Sequence, residues 1–237
     1  LFRIQTRIAR VRSPEFTDGS ELMRPEGFAV DEVICPEESL TTYIRKLIQY
    51  PEALQVLEFS QQRVSLIAVR AMQGGPMVQH VISELPALVP NLPMRIVAIY
   101  RRDALGHDRQ VMCDGSTRIE HGDELFVLAA NEHISNVLHA LHKRDQPVRR
   151  VMIAGGGRVG LRLARHIARE CQVKLIESSA QRCEYLSTQL PAPTLVLRGD
   201  STDEELLEHE NVQDTDLFLA LTSDDEDNIM SCLLAKR

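Results

Sequence analysis

Six residues, from Gly155 to Gly160, fit the pattern G-x-G-x-x-G, whose chemistry is the binding of a pyrophosphate by backbone N–H groups. In this pattern Gly155 permits a tight turn out of a strand, and Gly157 lets the backbone approach a phosphate. Gly160 allows the next helix to pack closely on the sheet. Arg158 and Val159 open that helix, whose N-terminus attracts anions. The spacing predicts a phosphate-binding loop; the alternative is a glycine turn used only for packing.

An acidic residue, Glu177, ends the next apolar stretch along the chain, and Ser178 follows it. A carboxylate at this position accepts hydrogen bonds from the hydroxyls of an adenosine ribose and repels a 2′-phosphate. This favours NAD(H) or another adenine nucleotide over NADP. The sequence contains no G-x-x-x-x-G-K-[ST] pattern, which excludes a P-loop ATPase.

Two further loops follow apolar stretches and carry polar side chains that could contact the same ligand. One contains Gly199, Asp200 and Ser201, and the other contains Thr222 and Ser223. Parallel sheets bind ligands at the carboxyl ends of their strands, so both loops are candidates. The alternative for both is helix capping, by Ser201 or Thr202 in the first loop and by Ser223 or Asp224 in the second.

The elements that must position these loops alternate strictly after residue 150. Apolar runs typical of strands lie at 151–154, 173–177, 194–197 and 217–221. Helical patterns lie between and after them, at 158–169, 179–189, 202–209 and 225–235. Repeated βα units predict an α/β fold with a parallel, doubly wound, Rossmann-like sheet.

The part of the chain before this sheet mixes strands and helices without strict alternation, which predicts a small α+β unit over residues 56–144. There we expect a helix carrying Met77 to Leu85, and a last helix from Ile134 that Asn131 caps.

Residues 1–55 predict short strands at 8–11 and 30–34 and a helix start at Ser13-Pro14-Glu15. They also predict an amphipathic helix from Leu40 to Ile48, whose apolar side chains share one face. The polar stretch from Lys143 to Arg150 is a linker, and we divide the chain into 1–55, 56–144 and 145–237.

Composition narrows the class of protein. Hydrophobic residues make up 43% and charged residues 26% of the 237 residues, and no apolar run is long enough to cross a membrane. The net charge of −7 disfavours binding to nucleic acid and to anionic lipid. Five scattered cysteines without a Cys-x-x-Cys pair indicate reduced thiols in a cytosolic protein.

Other candidate sites are weaker. His139 and His142 share a helix face without a carboxylate or cysteine at ligand spacing, so we expect no metal site. No Ser/His/Asp or Cys/His set suggests a catalytic residue. The stripe of arginines at 158, 162, 165 and 169 favours a solvated face, and the acidic run 224–227 favours a solvated helix start, with cation binding as the alternative.

The order of these motifs is similar to that of a known family. Four segments resemble the first four units of an RCK (regulator of K⁺ conductance) N-lobe: VMIAGGGRVGLRLARHI, KLIESSAQRCEYLSTQL, LRGDSTDEELL and LALTSDDEDNIMSCLLAK. DEVICPEESLTTYIRKLIQYPEALQVLEF is similar to the end of an earlier N-lobe with its crossover helix, and IEHGDELFVLAA to the end of a C-lobe. The chain therefore resembles the RCK family, most closely its TrkA-type members, which are peripheral subunits of bacterial potassium uptake.

The resemblance implies an internal fragment of a longer protein. It contains the end of a first N-lobe (1–55), a C-lobe (56–144) and the front of a second N-lobe (145–237). The family's nucleotide contacts match seven residues here: Gly155, Gly157, Gly160, Glu177, Asp200, Ser201 and Thr222. Ser178 stands where family members more often carry a larger polar residue.

The function implied by the resemblance is regulatory, not enzymatic. We expect a cytoplasmic homo-oligomer that binds NAD(H) or ATP/ADP and gates a membrane-embedded potassium transporter subunit, which holds it at the cytosolic face of the inner membrane. The alternatives are a fragment of an NAD-dependent dehydrogenase and a sensor of a cyclic dinucleotide acting through the 56–144 lobe. A further hypothesis is that the strand at 8–11 pairs with 216–221, within one chain or between two, and so forms a composite lobe; the favoured alternative is that the parent protein continues past Arg237.

Overall fold

A computed structural model describes residues 4–12, 30–59, 63–103, 105–142 and 147–236. The predicted helix start at Ser13-Pro14 lies outside these residues. The chain divides into two compact units, one formed by residues 1–45 with 148–237 and the other by residues 46–147. No helix in the described ranges combines the length and the apolar composition that crossing a bilayer requires.

The first unit begins with a parallel pair of short strands, β1 (Ile8–Arg10) and β2 (Glu32–Ile34). Hydrogen bonds from Val11 N–H to the Ile34 carbonyl (2.9 Å) and from Asp31 N–H to the Arg7 carbonyl (2.9 Å) extend the pairing. Among the described residues β1 pairs only with β2, so the predicted pairing of 8–11 with 216–221 within one chain is wrong, although residues 1–45 and 148–237 belong to one compact unit. The backbone groups of β1 that face β2 are already used, and the strand is three residues long.

Helix α1 (Pro36–Gln49) follows, with Glu37 and Glu38 in its first turn and Lys46 in its last, as the helix dipole favours. Its buried face is formed by Thr41, Ile44 and Ile48. Leu40 and Tyr43 of the predicted apolar face stay 43% and 38% exposed. The buried face therefore includes Thr41, whose hydroxyl donates to the Glu37 carbonyl (2.7 Å), so a threonine can lie there without an unpaired donor.

The second unit contains an antiparallel sheet of five strands in the order β3-β4-β7-β5-β6. The strands are β3 (Ala53–Phe59), β4 (Val64–Arg70), β5 (Met94–Arg102), β6 (Asp108–Val111) and β7 (Glu124–Ala130), and the helices are α2 (Leu85–Leu88) and α3 (Ile134–Leu141). One aliphatic core contains Ile67, Leu125 and Val127 from the sheet and Leu138 and Leu141 from α3. The unit has the α+β class that the sequence predicts.

The predicted helix over Met77 to Leu85 is wrong. Gln79 has a positive φ of 73°, a backbone conformation that interrupts a right-handed helix. Only a 3₁₀ turn, Ile82–Glu84, and the four-residue α2 form there. Met77 and Val78 are still buried, because an irregular turn places them in the core.

Asn131 does not cap α3, contrary to expectation. Helix α3 is preceded by a 3₁₀ turn, and its N-cap residue His133 makes no side-chain cap. The Asn131 amide instead donates to Glu58 Oε1 (3.3 Å), and its carbonyl oxygen accepts a hydrogen bond from Ser65. Lys46 Nζ contacts the other Glu58 oxygen at 2.6 Å, so Asn131 belongs to a polar network at the edge of the sheet.

The first unit also contains a sheet of four parallel strands in the order β10-β9-β8-β11. Its strands are β8 (Arg150–Ala154), β9 (Gln172–Glu177), β10 (Leu195–Arg198) and β11 (Leu217–Ala220), and its helices are α4 (Arg158–Ile167), α5 (Ala180–Gln189), α6 (Glu204–His209) and α7 (Asp225–Ala235). This confirms the predicted α/β class and Rossmann-like sheet. The order of the strands reverses at β8, where such sheets open a crevice for a ligand.

Arg162 of α4 is not on a solvated face, although Arg158, Arg165 and Arg169 are exposed. Its guanidinium contacts Glu38 Oε2 at 2.9 Å and Cys35 Sγ at 3.4 Å, and 11% of its side chain is exposed. The start of α1 therefore lies beside α4, and no local pattern in the sequence shows this.

The cysteines are all free thiols, and two of them, Cys35 and Cys171, are buried. Burial raises the pKa of the Cys113, Cys171 and Cys183 thiols. Cys232, on α7, is exposed.

Candidate functional site

A cavity of about 300 Å³ lies at the carboxyl ends of the parallel strands. The structure brings together most of the predicted site residues along its walls: Gly155, Gly157, Glu177, Ser178, Gly199, Asp200, Ser201, Thr222 and Ser223. Arg158, Val159 and Gly160 do not line it; they form the first turn of α4. Asp224 and Asp227 line it as well.

Two glycines of the loop after β8 are required by close approaches. Gly155 has a φ of +104°, and a Cβ there would lie 2.7 Å from the Leu221 carbonyl oxygen, at the end of β11. A Cβ on Gly160 would collide with the carbonyl oxygen of Gly155. The start of α4 therefore packs tightly against the turn. A side chain at position 160 would clash with this turn more than with the sheet, and this is the steric reason for a glycine there.

Gly157 is different, because nothing lies within 4 Å of the position that its Cβ would take. Its φ of −64° is open to any residue. The space beside Gly157 is therefore part of the cavity and not of the packed fold.

The helix that starts at Gly157 has no side-chain cap. The other three helices of this sheet are capped by side chains: Ser179 caps α5, Asp203 caps α6 and Asp224 caps α7. Of the predicted capping residues only Asp224 caps a helix, and Asp203 takes the role expected of Ser201 or Thr202. The first turn of α4 thus offers backbone donors to an anion in the cavity.

The Glu177 carboxylate is fixed by two backbone donors. Its Oε2 accepts from Gly156 N–H (3.0 Å) and its Oε1 accepts from Ser179 N–H (2.9 Å). A carboxylate oxygen accepts more than one hydrogen bond, so both can still receive a ribose hydroxyl. Because the two donors orient the carboxylate toward the cavity wall, Glu177 is prearranged for a ligand.

Arg182, on α5, is a positioning residue that the sequence did not suggest. Its Nε donates to the Gly156 carbonyl (2.7 Å), and its guanidinium lies 4.7 Å from the centre of the Tyr185 ring. Together with the bond that Gly156 N–H donates to Glu177, this contact engages both backbone polar groups of Gly156, and so fixes the two peptide units on either side of its Cα. Spacing along the chain gives no signal for it, because the partner is a backbone carbonyl.

Asn228, on α7, fixes the loop after β11 in a similar way. Its Oδ1 accepts from the backbone N–H and the hydroxyl of Thr222, each at 2.9 Å, and its Nδ2 donates to the Thr222 carbonyl (3.3 Å). The Thr222 hydroxyl is therefore engaged within the protein, and Ser223 is the more exposed of the two side chains. The sequence did not suggest this role for Asn228.

Carboxylates dominate the charge of the cavity. Hydrogen bonds from the N–H and the hydroxyl of Thr202 lower the pKa of Asp200. Partial desolvation and the carboxylates of Asp224 and Asp200 raise the pKa of Asp227. Among the described residues no lysine or arginine lines this cavity.

The second unit has a larger cavity, of about 580 Å³. Its walls are mostly apolar, and they include three polar or charged side chains, Asn91, Arg95 and Asp114. No group of His, Cys, Asp or Glu residues in the described ranges is arranged to hold a metal ion.

Comparison with known proteins matches the TrkA-N domain family to residues 151–237, the segment that carries the parallel sheet. The Trk system potassium uptake protein TrkA of Vibrio alginolyticus is 46% identical over 238 residues, covering 100% of this chain and 51% of the relative. The protein of the same name from Halomonas elongata is 45% identical over 237 residues, covering 100% and 50%. This chain thus spans about half the length of the curated relatives it matches.

A solved structure, described as the GsuK channel bound to NAD, has the same fold. It aligns with 97% of this chain and 38% of its own, at a TM-score of 0.55 and 18% identity. The parallel sheet with its glycine loop, the match over 151–237 and the relatives that cover the whole length agree with one another. Residues 151–237 therefore match the TrkA-N domain family, and the chain as a whole is similar along its full length to TrkA potassium uptake proteins.

Proposed function

We propose that this chain is the nucleotide-binding, regulatory part of a potassium uptake system. Relatives at 45–46% identity carry the name of a potassium uptake protein, which supports this role. In this proposal the protein binds NAD(H) or ATP/ADP as an allosteric ligand and catalyses no reaction. It acts as a homo-oligomer on the cytosolic side of the membrane, where it contacts a membrane-embedded potassium transporter subunit.

The observation that carries the proposal is the open space beside Gly157. A Cβ at this position would enter a cavity and meet no atom of the protein, at the uncapped start of α4. A phosphate there would receive backbone hydrogen bonds and the favourable end of the helix dipole. The residues present therefore fit a nucleotide, and the GsuK structure is described as bound to NAD.

The order of the strands around the cavity also favours one orientation of the bound ligand. Glu177 ends β9, and its two oxygens suit the hydroxyls of an adenosine ribose. The glycine loop follows β8, which lies between β9 and β11 in the sheet. We therefore place adenosine at Glu177, the phosphates at Gly157 and the remainder of the ligand at the loop after β11.

Regulation then follows from differential affinity. A nucleotide that binds one arrangement of the protein more tightly shifts the population toward that arrangement. By the same coupling, the arrangement imposed by the transporter changes the affinity for the nucleotide. The protein needs no catalytic residue for this, only a cavity whose walls move.

The proposal is tested by isothermal titration of the chain with NAD⁺, NADH, ADP and ATP. We expect saturable binding of one ligand per chain, and we expect no turnover of NAD⁺ in a screen of hydroxy acids. Absence of binding by all four nucleotides would overturn the proposal. Turnover with any substrate would favour the dehydrogenase alternative.

The cavity in the second unit favours a second candidate function, the sensing of a cyclic dinucleotide. Its volume of about 580 Å³ lies in the range of small-molecule sites, and Arg95 could contact a phosphate. Titration with cyclic dinucleotides tests this. Binding that Arg95→Ala removes would support it, and heat signals equal to those of buffer would exclude it.

A further inference from the structure

Helix α1 is shared between the two compact units of the chain. Its residues up to 45 belong to the unit of the parallel sheet, and its residues from 46 belong to the unit of the antiparallel sheet. The helix is 14 residues long and continuous. Because a helix is a rigid element, a restraint that is placed on its start also acts on its end.

The start of α1 is held against α4 by an arginine that is almost buried. Arg162 Nη1 lies 2.9 Å from Glu38 Oε2 and donates to Cys35 Sγ at 3.4 Å. The carbonyl of Cys35 accepts a backbone hydrogen bond from Ser39 N–H (3.1 Å), so Cys35 is part of the start of the helix. Only 11% of the Arg162 side chain is exposed. A guanidinium withdrawn from water in this way is destabilising without its partners, so α4 and the start of α1 are held together.

The end of α1 is held in a similar way within the other unit. Lys46 Nζ lies 2.6 Å from Glu58 Oε2 on β3, and less than one fifth of either side chain is exposed. The second oxygen of Glu58 accepts from the Asn131 amide (3.3 Å), and Asn131 in turn accepts from the buried Ser65. Both ends of α1 are therefore anchored by ion pairs that are mostly shielded from water, where such pairs are stronger than on the surface.

Helix α4 connects the first of these anchors to the glycine loop. The helix begins at Gly157, beside the cavity, and Arg162 lies in its second turn. A Cβ on Gly160 would collide with the Gly155 carbonyl oxygen, so the loop and the start of the helix are packed without free space between them. A phosphate held by the first turn of α4 would therefore restrain the loop and the helix as one body.

We propose that Arg162 is the residue through which occupation of the nucleotide cavity is communicated to α1 and, along α1, to the second unit. The inference rests on the proposed function and names the route of its regulation. Arg162 does not line the cavity, so it is a positioning residue and not a binding residue. A ligand that restrains α4 stabilises the contact of Arg162 with Glu38 and Cys35, and that contact stabilises the start of α1. By linkage, loosening α1 weakens the restraint on α4.

The experiment follows hydrogen–deuterium exchange of the whole chain by mass spectrometry, without ligand and saturated with NADH. ADP replaces NADH if titration shows that only ADP binds. In the unaltered chain we expect the nucleotide to slow exchange throughout α1, including its last turn, by at least about fivefold, the lower end of typical coupling between sites. Arg162→Met should abolish this effect on α1 and leave the slowing at the glycine loop, because methionine fills space but offers neither charge nor donor.

Further variants separate this coupling from a loss of packing. Glu38→Gln changes the partner, whose side chain is 44% exposed, and should reduce the effect of the nucleotide on α1. The double variant should behave as Arg162→Met alone, since both changes remove one contact. Arg162→Lys retains the charge and should restore part of the effect. Arg165→Met is the matched control: Arg165 lies on the same helix, but its Nε donates to the Gln189 carbonyl, so the effect on α1 should persist.

Two results would overturn this inference: a nucleotide that binds the unaltered chain and leaves exchange in α1 unchanged, or equal behaviour of Arg162→Met and Arg165→Met. Nucleotide binding is intact in both cases, so the proposed function stands. Failure of the unaltered chain to bind any nucleotide would overturn the proposed function, and the inference with it. Circular dichroism of each variant without ligand checks its folding, and Glu38→Gln decides the question if Arg162→Met does not fold.

Discussion

At the scale of single residues, we expect Gly157 to be required for ligand binding and not for folding. Its φ of −64° and the empty space around its Cβ position mean that a larger residue does not strain the chain. Gly157→Val should therefore abolish binding of adenine nucleotides, because the side chain fills the space beside the uncapped helix, and should leave the protein folded. Isothermal titration and thermal unfolding measure the two effects.

The control for this variant is Gly115→Val in the other unit. A Cβ on Gly115 makes ordinary contact with Ser83, at 3.5 Å, and Gly115 lines the cavity of that unit and not the one at the glycine loop, so the control applies to the adenine nucleotides alone. We expect this variant to bind nucleotides normally. Unchanged affinity in Gly157→Val would show that no phosphate approaches this backbone.

Glu177 should contribute to affinity in proportion to the hydrogen bonds it offers. Glu177→Ala removes a charged acceptor of ribose hydroxyls, and it also leaves Gly156 N–H and Ser179 N–H without their partner. We expect NAD(H) binding to weaken by about 1–3 kcal/mol, measured by titration. Glu184→Ala, on the exposed side of α5, is the matched control. Equal affinities of the unaltered chain for NADP⁺ and NAD⁺ would contradict the role given to Glu177.

The residues of the site form two groups: those whose role follows from spacing along the chain, and those whose role depends on what the fold brings beside them. The glycine spacing and the acid at the end of the second strand could be predicted, because the chemistry of a phosphate loop requires them at fixed distances along the chain. Arg182 and Asn228 could not, because each binds backbone groups of a loop that the fold brings to it. Asp227 was seen only as part of an acidic run, since its place in the cavity depends on how α7 follows β11.

At the scale of elements, α1 shows how a buried helix face is read incorrectly from apolar spacing. Ile44 is 7% exposed, whereas Leu40 is 43% exposed. Ile44→Ala should lower the free energy of unfolding by about 2–4 kcal/mol, because it leaves a cavity in a packed face. Leu40→Ala should cost less than about 1 kcal/mol. Urea unfolding followed by circular dichroism measures both, and equal losses would mean that the two side chains are buried alike.

The parallel sheet could be predicted almost residue by residue, whereas in the antiparallel unit the segment between Met77 and Leu85 could not. A strand covered on both faces is an unbroken apolar run, as at Val151 to Ala154, where each residue is buried. Between Met77 and Leu85 the apolar residues also recur at helical spacing, but they reach the core from turns. Gln79, with its positive φ, is what the pattern could not show.

At the scale of the whole molecule, two units with separate cores offer separate tests of stability. In the unit of residues 46–147, Asp123 is fully buried and forms a paired contact with Arg101, at 2.7 and 2.9 Å. Asp123→Asn should lower the free energy of unfolding of this unit by about 1–3 kcal/mol, because it replaces charge-assisted hydrogen bonds at a buried position with weaker neutral ones, while Glu120 at 2.6 Å still pairs with the guanidinium. Chemical denaturation measures the loss.

The control is Asp108→Asn, which breaks a contact with Arg102 that is exposed on both sides. An exposed pair contributes little, so we expect a change below about 0.5 kcal/mol. Similar losses in the two variants would mean that burial does not set the value of these pairs. The buried and the exposed carboxylate contribute equally to the chain's net charge of −7. Net charge alone therefore does not predict which variant loses more stability.

The single exposed thiol among the five cysteines has a practical consequence. Cys232 lies on α7 among Ile229, Met230 and Leu233, which are 64%, 51% and 57% exposed. The thiolate is the reactive form. Cys35 and Cys171 are buried, and desolvation raises the pKa of the partly exposed Cys113 and Cys183, so a maleimide should modify Cys232 before the other four. The rate of that modification therefore reports whether this apolar helix face is covered. It falls when another surface covers the helix and recovers when that surface leaves.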